Sequence, residues 1–345
     1  MPDNSYKIRL DEITIMRAIL ALLIVFMHSF TCYNGGWAEP KGFIQIPLYK
    51  WLSRFSFAFT LQGFVFISGY LFAFQRITLN REEKFKKLIY NKFKRLIIPS
   101  IIFSVVYFVV FYEYKGVLRA VYEIINGCGH MWYLPMLFWC FIGAWFLLQL
   151  NIADRWKLLF LMLINLIAIY PLPFQLSRTA NFLVYFYGGY LTYKHRHLLL
   201  RRLNLNNLLV FWIIFLVTFI VLRQFRDVLE VASSVSTLKS LLNKIISRFF
   251  GFIYSWTGLL AFYATAILYI KKHQLSKLIQ CVATCSFGIY LFQQFILQFL
   301  YYKTDFSSLV GPYWLPWCGF VFTMVLSFLL SFLLLKTKVG RFLIG

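Results

Sequence analysis

Ile13-Thr-Ile-Met-Arg17-Ala-Ile-Leu-Ala-Leu-Leu-Ile-Val-Phe-Met-His28-Ser-Phe-Thr-Cys32 is an apolar run interrupted by two ionisable side chains. Coiled as a helix, a run of this length rises about 30 Å, the depth of a bilayer's hydrocarbon core. It is too long for the apolar region of a signal peptide and lacks a small-residue cleavage site, so it reads as a retained span. Further runs occupy roughly 50–75, 96–112, 131–150, 158–174, 180–193, 208–222, 250–270, 281–300 and 313–335. None alternates with period two, which excludes barrel strands. The fifth to seventh are short, interrupted near Pro171, Pro173 and Gly188-Gly189. The expectation is an all-α polytopic membrane protein of about ten transmembrane helices, folded as one membrane domain over 1–345.

Composition agrees. The chain is 61% hydrophobic, 21% aromatic and 14% charged, where soluble domains run at about half apolar and a quarter charged. That excludes an ordinary soluble enzyme and a disordered chain. The net charge of +23 would suggest nucleic acid in a soluble protein, but its placement gives another reason. Segments on the N-terminal side of the bilayer carry 22 of the 35 Lys and Arg, segments on the other side 12, and Arg17 lies within the first run. The asymmetry places both termini in the cytoplasm of an inner or plasma membrane and makes most of the charge a topology signal. The longest segment on the far side, 223–249, has Leu238, Leu241, Leu242, Ile245, Ile246 and Phe249 at helical spacing among Lys239, Lys244 and Arg248. It reads as an amphipathic helix on the outer surface, either a packing element or a lid.

Ionisable groups inside spans are expensive and mark function by default. Arg17 and His28 are separated by eleven positions, about 16 Å along a helix, so Arg17 sits toward the inner face and His28 in the outer half. Snorkelling explains Arg17 alone, and a bond to a backbone carbonyl explains His28 alone. His130, in Gly129-His-Met-Trp132-Tyr-Leu-Pro135, falls at about the depth of His28, while His195, His197 and His273 fall in basic loops. Lys92 and Arg95 share a helical face and suit a phosphate, or serve as lipid-contacting topology charges. Tyr290, Gln293 and Gln294 are polar groups in the ninth run, fit for hydrogen bonding between helices. No CxxC or Cys/His metal spacing occurs, so no metal or bound cofactor is expected. Cys140, Cys281, Cys285 and Cys318 read as packing residues. Cys32 and Cys128 flank the two histidines, where they form a disulfide or remain two free thiols.

In order, these blocks resemble the acyltransferase-3 family of integral-membrane acyltransferases: Arg9-Leu-Asp-Glu12 with Arg17 and His28; Phe64-Val-Phe-Ile-Ser68-Gly69-Tyr70-Leu71; Lys92-x-x-Arg95 with Pro99; His130-Met-Trp132-Tyr133-Leu134; and Ser286-Phe-Gly288-Ile-Tyr290-Leu-Phe. Lys92 stands where the family has Arg, and Gln293 where it often has His. The expectation is a single membrane domain without the appended soluble hydrolase-like domain of some relatives. The resemblance implies an acyl-CoA donor, commonly acetyl-CoA, at the cytoplasmic face, and a hydroxyl acceptor on a glycan or lipid-linked glycan, as in O-acetylation during polysaccharide biosynthesis. Arg17, Lys92 and Arg95 then hold the donor's anionic end, His28 is the general base, and His130 is a second catalytic candidate. His130, Trp132 and Tyr290 are candidate donors to the thioester oxygen. Two other classes fit the same composition: a transporter or flippase for lipid-linked sugars, and a polysaccharide polymerase.

Overall fold

The computed structural model describes residues 10–168, 172–232 and 237–345, with side chains described except at 226, 227, 229–232 and 237–241. Every regular element among the described residues is helical. The first half comprises α1 (Asp11–Ser29), α2 (Pro47–Phe57), α3 (Thr60–Ile77), α4 (Phe85–Lys92), α5 (Ile98–Phe111), α6 (Val117–Asn126), α7 (Tyr133–Gln149) and α8 (Asp154–Ile167). The second comprises α9 (Leu176–Lys194), α10 (Arg196–Arg202), α11 (Leu205–Ala232), α12 (Thr237–Lys272), α13 (Lys277–Tyr302), α14 (Phe306–Val310), α15 (Leu315–Leu335) and α16 (Lys338–Ile344).

Among the described residues, eight segments are long and apolar enough to cross a membrane: Asp11–Ser29, Pro47–Ile77, Phe85–Phe111, Gly129–Gln149, Leu205–Phe225, Leu242–Lys272, Lys277–Tyr302 and Leu315–Leu335. The other two expected runs correspond to α8, of only 14 residues, and α9. The Gly188-Gly189 pair does not interrupt α9, which runs unbroken. Pro171 lies outside the described residues. The second run is two helices with a break at Ala58-Phe59.

The segment 223–249 departs from its expected form. Its first part ends α11 and its last part begins α12, and these two helices pack along each other. At 28 and 36 residues they rise about 42 and 54 Å, more than the bilayer core. The apolar residues Leu242, Ile246 and Phe249 thus belong to a paired helix, while Leu238, Lys239 and Leu241 fall outside the described side chains.

α1 is apolar around its whole circumference and is buried accordingly. Met16, Leu20 and Ile24 are fully enclosed, and the helix packs against α2, α3, α12, α13 and α15. α11 and α15 instead keep apolar side chains such as Ile213, Val217, Val321 and Leu333 exposed, as lipid-facing helices do. α3 and α9 approach backbone to backbone through reciprocal glycines. A Cβ at Gly69 would meet the Phe186 carbonyl oxygen at 1.8 Å, and one at Gly189 the Phe66 carbonyl oxygen at 2.0 Å. Small residues at such crossings let membrane helices gain dispersion contact that larger ones forbid.

α4 and α5 are joined by a π-helical turn, Phe93–Ile97. Pro99 has no N–H to return to the Arg95 carbonyl, and a widened turn absorbs that loss. The turn carries Arg95, so the simple i, i+3 relation to Lys92 does not hold, but both side chains still reach one cavity.

Candidate functional site

Arg17 from α1, Lys92 from the end of α4 and Arg95 from the π turn line one cavity of about 350 Å³. Apolar side chains of α3 (Leu61, Phe64, Ile67, Leu71) and α7 (Leu134, Leu137, Phe141) form its walls, and Tyr133, Ser286 and Tyr290 add hydroxyls. No Asp or Glu is among the described lining residues. Arg17 donates from Nη2 to Ser286 Oγ at 3.1 Å, and Ser286 donates onward to the Ala283 carbonyl at 2.8 Å. Lys92 Nζ sits 3.9 Å from the centre of the Phe141 ring. Arg95 donates to the carbonyl oxygen of Gly345. Three cations around an apolar slot, Arg17 and Lys92 among them held by neutral groups, suit an anion with a long uncharged arm.

His28 lies at the other end of α1, partly exposed. Its Nδ1 is 3.0 Å from the Ile24 carbonyl, which can only accept. Nδ1 therefore carries the proton in the neutral ring, leaving the Nε2 lone pair available. Trp37 stacks on the imidazole at 5.8 Å and Phe57 meets it edge-on at 6.4 Å. The Gln293 carboxamide, fully buried on α13, lies beside it.

His130 sits in a single 3-10 turn, Gly129–Trp132, and is buried at 4% exposure. Its Nε2 donates to the Leu291 carbonyl at 2.9 Å, and the Tyr290 hydroxyl donates to the His130 carbonyl at 2.5 Å. The two histidines are within electrostatic reach of each other, and both lie against α13, His130 at Leu291 and His28 beside Gln293. Tyr290 lines the cavity and also holds His130.

Trp132 does not reach the cavity. Its ring is capped by the Arg178 guanidinium at 4.1 Å and packs on Phe182 at 6.1 Å. Gln293 does not line it either. Cys32 and Cys128 are both free and buried, in separate apolar clusters. Burial pushes the Cys32 thiol up to about 12 and the Cys128 thiol up to about 11.

A second, larger cavity of about 930 Å³ opens at the Asn34 end of the bundle. Arg54, Arg223, Lys244 and Arg248 line it with five carboxamides and several aromatic rings. Arg248 Nη1 donates to Asn181 Oδ1 at 2.8 Å and to the Asn165 carbonyl at 3.2 Å, and Asn165 Nδ2 donates to the Asn181 carbonyl at 2.6 Å. His28 lines neither cavity, but Phe57, against which it packs, is a wall residue of the larger one. On α3, Gln62 faces the larger cavity and its neighbour Leu61 the smaller.

Sequence reading placed Lys244 and Arg248 on an amphipathic surface helix and counted Arg54 and Arg223 among the topology charges. The available signal was Asn165 and Asn181, two polar residues inside or at the edge of apolar runs. A second omission is Arg196, counted as a topology charge, which pairs its Nε with the buried Glu12 Oε1 at 2.8 Å. Tyr70 donates to the same oxygen at 2.7 Å. Burial works against the Arg196 charge, but the bond to Glu12 outweighs it and holds the guanidinium above its ordinary range.

A family model described as an acyltransferase domain, of the acyltransferase-3 type, matches residues 10–336. No curated protein and no solved structure matches the chain.

Proposed function

The chain belongs to the acyltransferase-3 family, and from that premise we propose that it moves an acetyl group from acetyl-CoA to a hydroxyl of a cell-surface or lipid-linked glycan. One observation carries the reading: Arg17, Lys92 and Arg95 converge on a cavity with no Asp or Glu among its described lining residues, and Tyr290 joins that cavity's wall to His130. In the proposed topology both termini are cytoplasmic, so this cavity opens toward the acyl-CoA pool. The nucleotide phosphates lie on the three cations. The pantetheine arm follows the apolar side chains of α3 and α7 toward Tyr290.

His28 acts as general base. Its Nε2 takes the proton of the acceptor hydroxyl while that oxygen attacks the thioester carbonyl. The tetrahedral intermediate collapses, the carbon–sulfur bond breaks, and the imidazolium returns its proton to the departing thiolate. The bond from Nδ1 to Ile24 fixes the tautomer this requires and stabilises the charged ring. His130 positions Tyr290 and Leu291 of α13, and through them Gln293 beside His28.

The test is mass spectrometry of cell glycans made with the wild-type chain, with none, and with His28→Ala. The gene's loss should remove one acyl mass per modified residue, and His28→Ala should lower transfer about 10²–10⁴-fold with membrane insertion unchanged. Changed glycan chain length with unchanged ester content indicates a polymerase and overturns the reading, as does wild-type acylation by the alanine variant.

A further inference from the structure

We infer that the larger cavity is the acceptor site and that it selects a saccharide bearing an oxyanion, a phosphate or a carboxylate, over a neutral one. The inference rests on the acetyl-transfer reading above and adds the chemical class of the acceptor.

The charge balance is the first argument. Lys244 and Arg248 come from one face of α12 to a cavity whose described lining residues include no Asp or Glu; Arg54 of α2 and Arg223 of α11, which also line it, have partners of their own. Cations gathered in a partly desolvated space repel one another, and an arriving anion relieves that repulsion. Arg248 is the best fixed of them. Its bonds to Asn181 and Asn165 go to neutral oxygens, so they aim the guanidinium without neutralising it. A planar guanidinium held in this way suits the two-oxygen edge of a phosphate or carboxylate.

The remaining lining argues for a sugar rather than a free ion. Carboxamides offer both donors and acceptors for hydroxyl groups, and aromatic faces offer apolar platforms for a pyranose ring. The volume, about 930 Å³, lies at the upper end of ligand pockets, well beyond what an inorganic ion fills. Phe57 ties the cavity to the chemistry, because it lies in the wall and also packs against His28. An acceptor anchored by its anion on α12 can thus present a hydroxyl on the α1 side. The donor's phosphates have their own cations at the opposite end of α1, so the two anionic substrates need not compete.

The experiment uses the full chain in nanodiscs of phosphatidylcholine. Glucose 1-phosphate, glucuronate and methyl glucoside are titrated separately, with CoA titrated in a parallel sample. Wild type should bind one or both anionic sugars at least about tenfold more tightly than methyl glucoside, the scale of one charge-assisted contact. The preferred anion tells phosphate from carboxylate. Lys244→Gln should remove most of that preference, and Arg248→Gln all of it, while CoA affinity stays at the wild-type value. Equal affinity for all three sugars, or an anion preference unchanged in both variants, overturns the inference. Loss of the preference when phosphatidylglycerol is added to the nanodisc assigns the cavity to lipid headgroups and overturns it too. If wild type fails to bind CoA, the acetyl-transfer reading falls instead, whatever the sugars do.

Discussion

Replacing Gly69 with alanine adds one methyl group, and the structure says where it goes. The new Cβ would stand 1.8 Å from the Phe186 carbonyl oxygen, 2.7 Å from its carbonyl carbon and 3.1 Å from its Cα. A close C···O approach is about 3.3 Å, so α3 and α9 must part by roughly 1.5 Å at this crossing. The obstacle is backbone, so no side-chain rotation relieves it. Overpacking of a tight core costs about 1–3 kcal/mol, and sometimes more. The upper end applies here, because Gly189 makes the reciprocal contact with Phe66 and the fully buried Phe66, Tyr70 and Phe186 pack around the seam. α3 also carries Phe64, Ile67 and Leu71 in the wall of the smaller cavity, so its displacement should weaken CoA binding along with stability. The assay is thermal unfolding of the detergent-solubilised protein followed by CoA titration. Gly69→Ala should lower the midpoint by several degrees and Gly69→Val should prevent folding. Ser68→Ala, one residue away, should leave the midpoint unchanged. A Gly69→Ala variant with the wild-type midpoint would refute the close-packing argument and return this block to a role in chemistry.

Arg17→Gln should weaken CoA binding about 10–100-fold, the worth of one charge-assisted hydrogen bond, and the Lys92→Gln/Arg95→Gln pair should do at least as much; unchanged affinity in the double variant would leave Lys92 and Arg95 as topology charges. Arg196→Met strands the buried Glu12 carboxylate and should cost about 3–5 kcal/mol, with much of it regained in Glu12→Gln/Arg196→Met; a single variant as stable as wild type would show that the pair carries no weight. Cys32 and Cys128 should show no mass change on reduction. With thiols raised to about 12 and 11, they are protonated at neutral pH and should resist maleimide until the chain is denatured, since the thiolate is the reactive form. Labelling of either in the folded protein at pH 7, or a mass gain on reduction, would contradict their placement.

What the sequence could and could not disclose follows from the range of the signals. Arg17 and His28 were legible because both lie on one helix, where eleven positions translate directly into distance. Lys92 and Arg95 were legible for the same reason, and the π turn between them changed their relation without parting them from the cavity. The apolar runs were legible because a bilayer demands a length, and α8, at 14 residues, is shorter than that demand. The pairings were hidden. Glu12 and Arg196 lie 184 positions apart, and nothing local to either foretells the other. Gly188-Gly189 looked like an interruption because a lone sequence shows the weakness of glycine in a helix and not the backbone of α3 that needs its absence of a Cβ. The four cations of the larger cavity are spread over α2, α11 and α12, and nothing local to any of them foretells that they meet. The positive-inside asymmetry assigns sides by counting such charges, and counting cannot tell a loop lysine in water from Arg248 aimed by Asn181 into a cavity. Polar residues within an apolar run are the better flag: Asn165 and Asn181 pay a desolvation cost that only a partner can offset, and the partner they have found is Arg248.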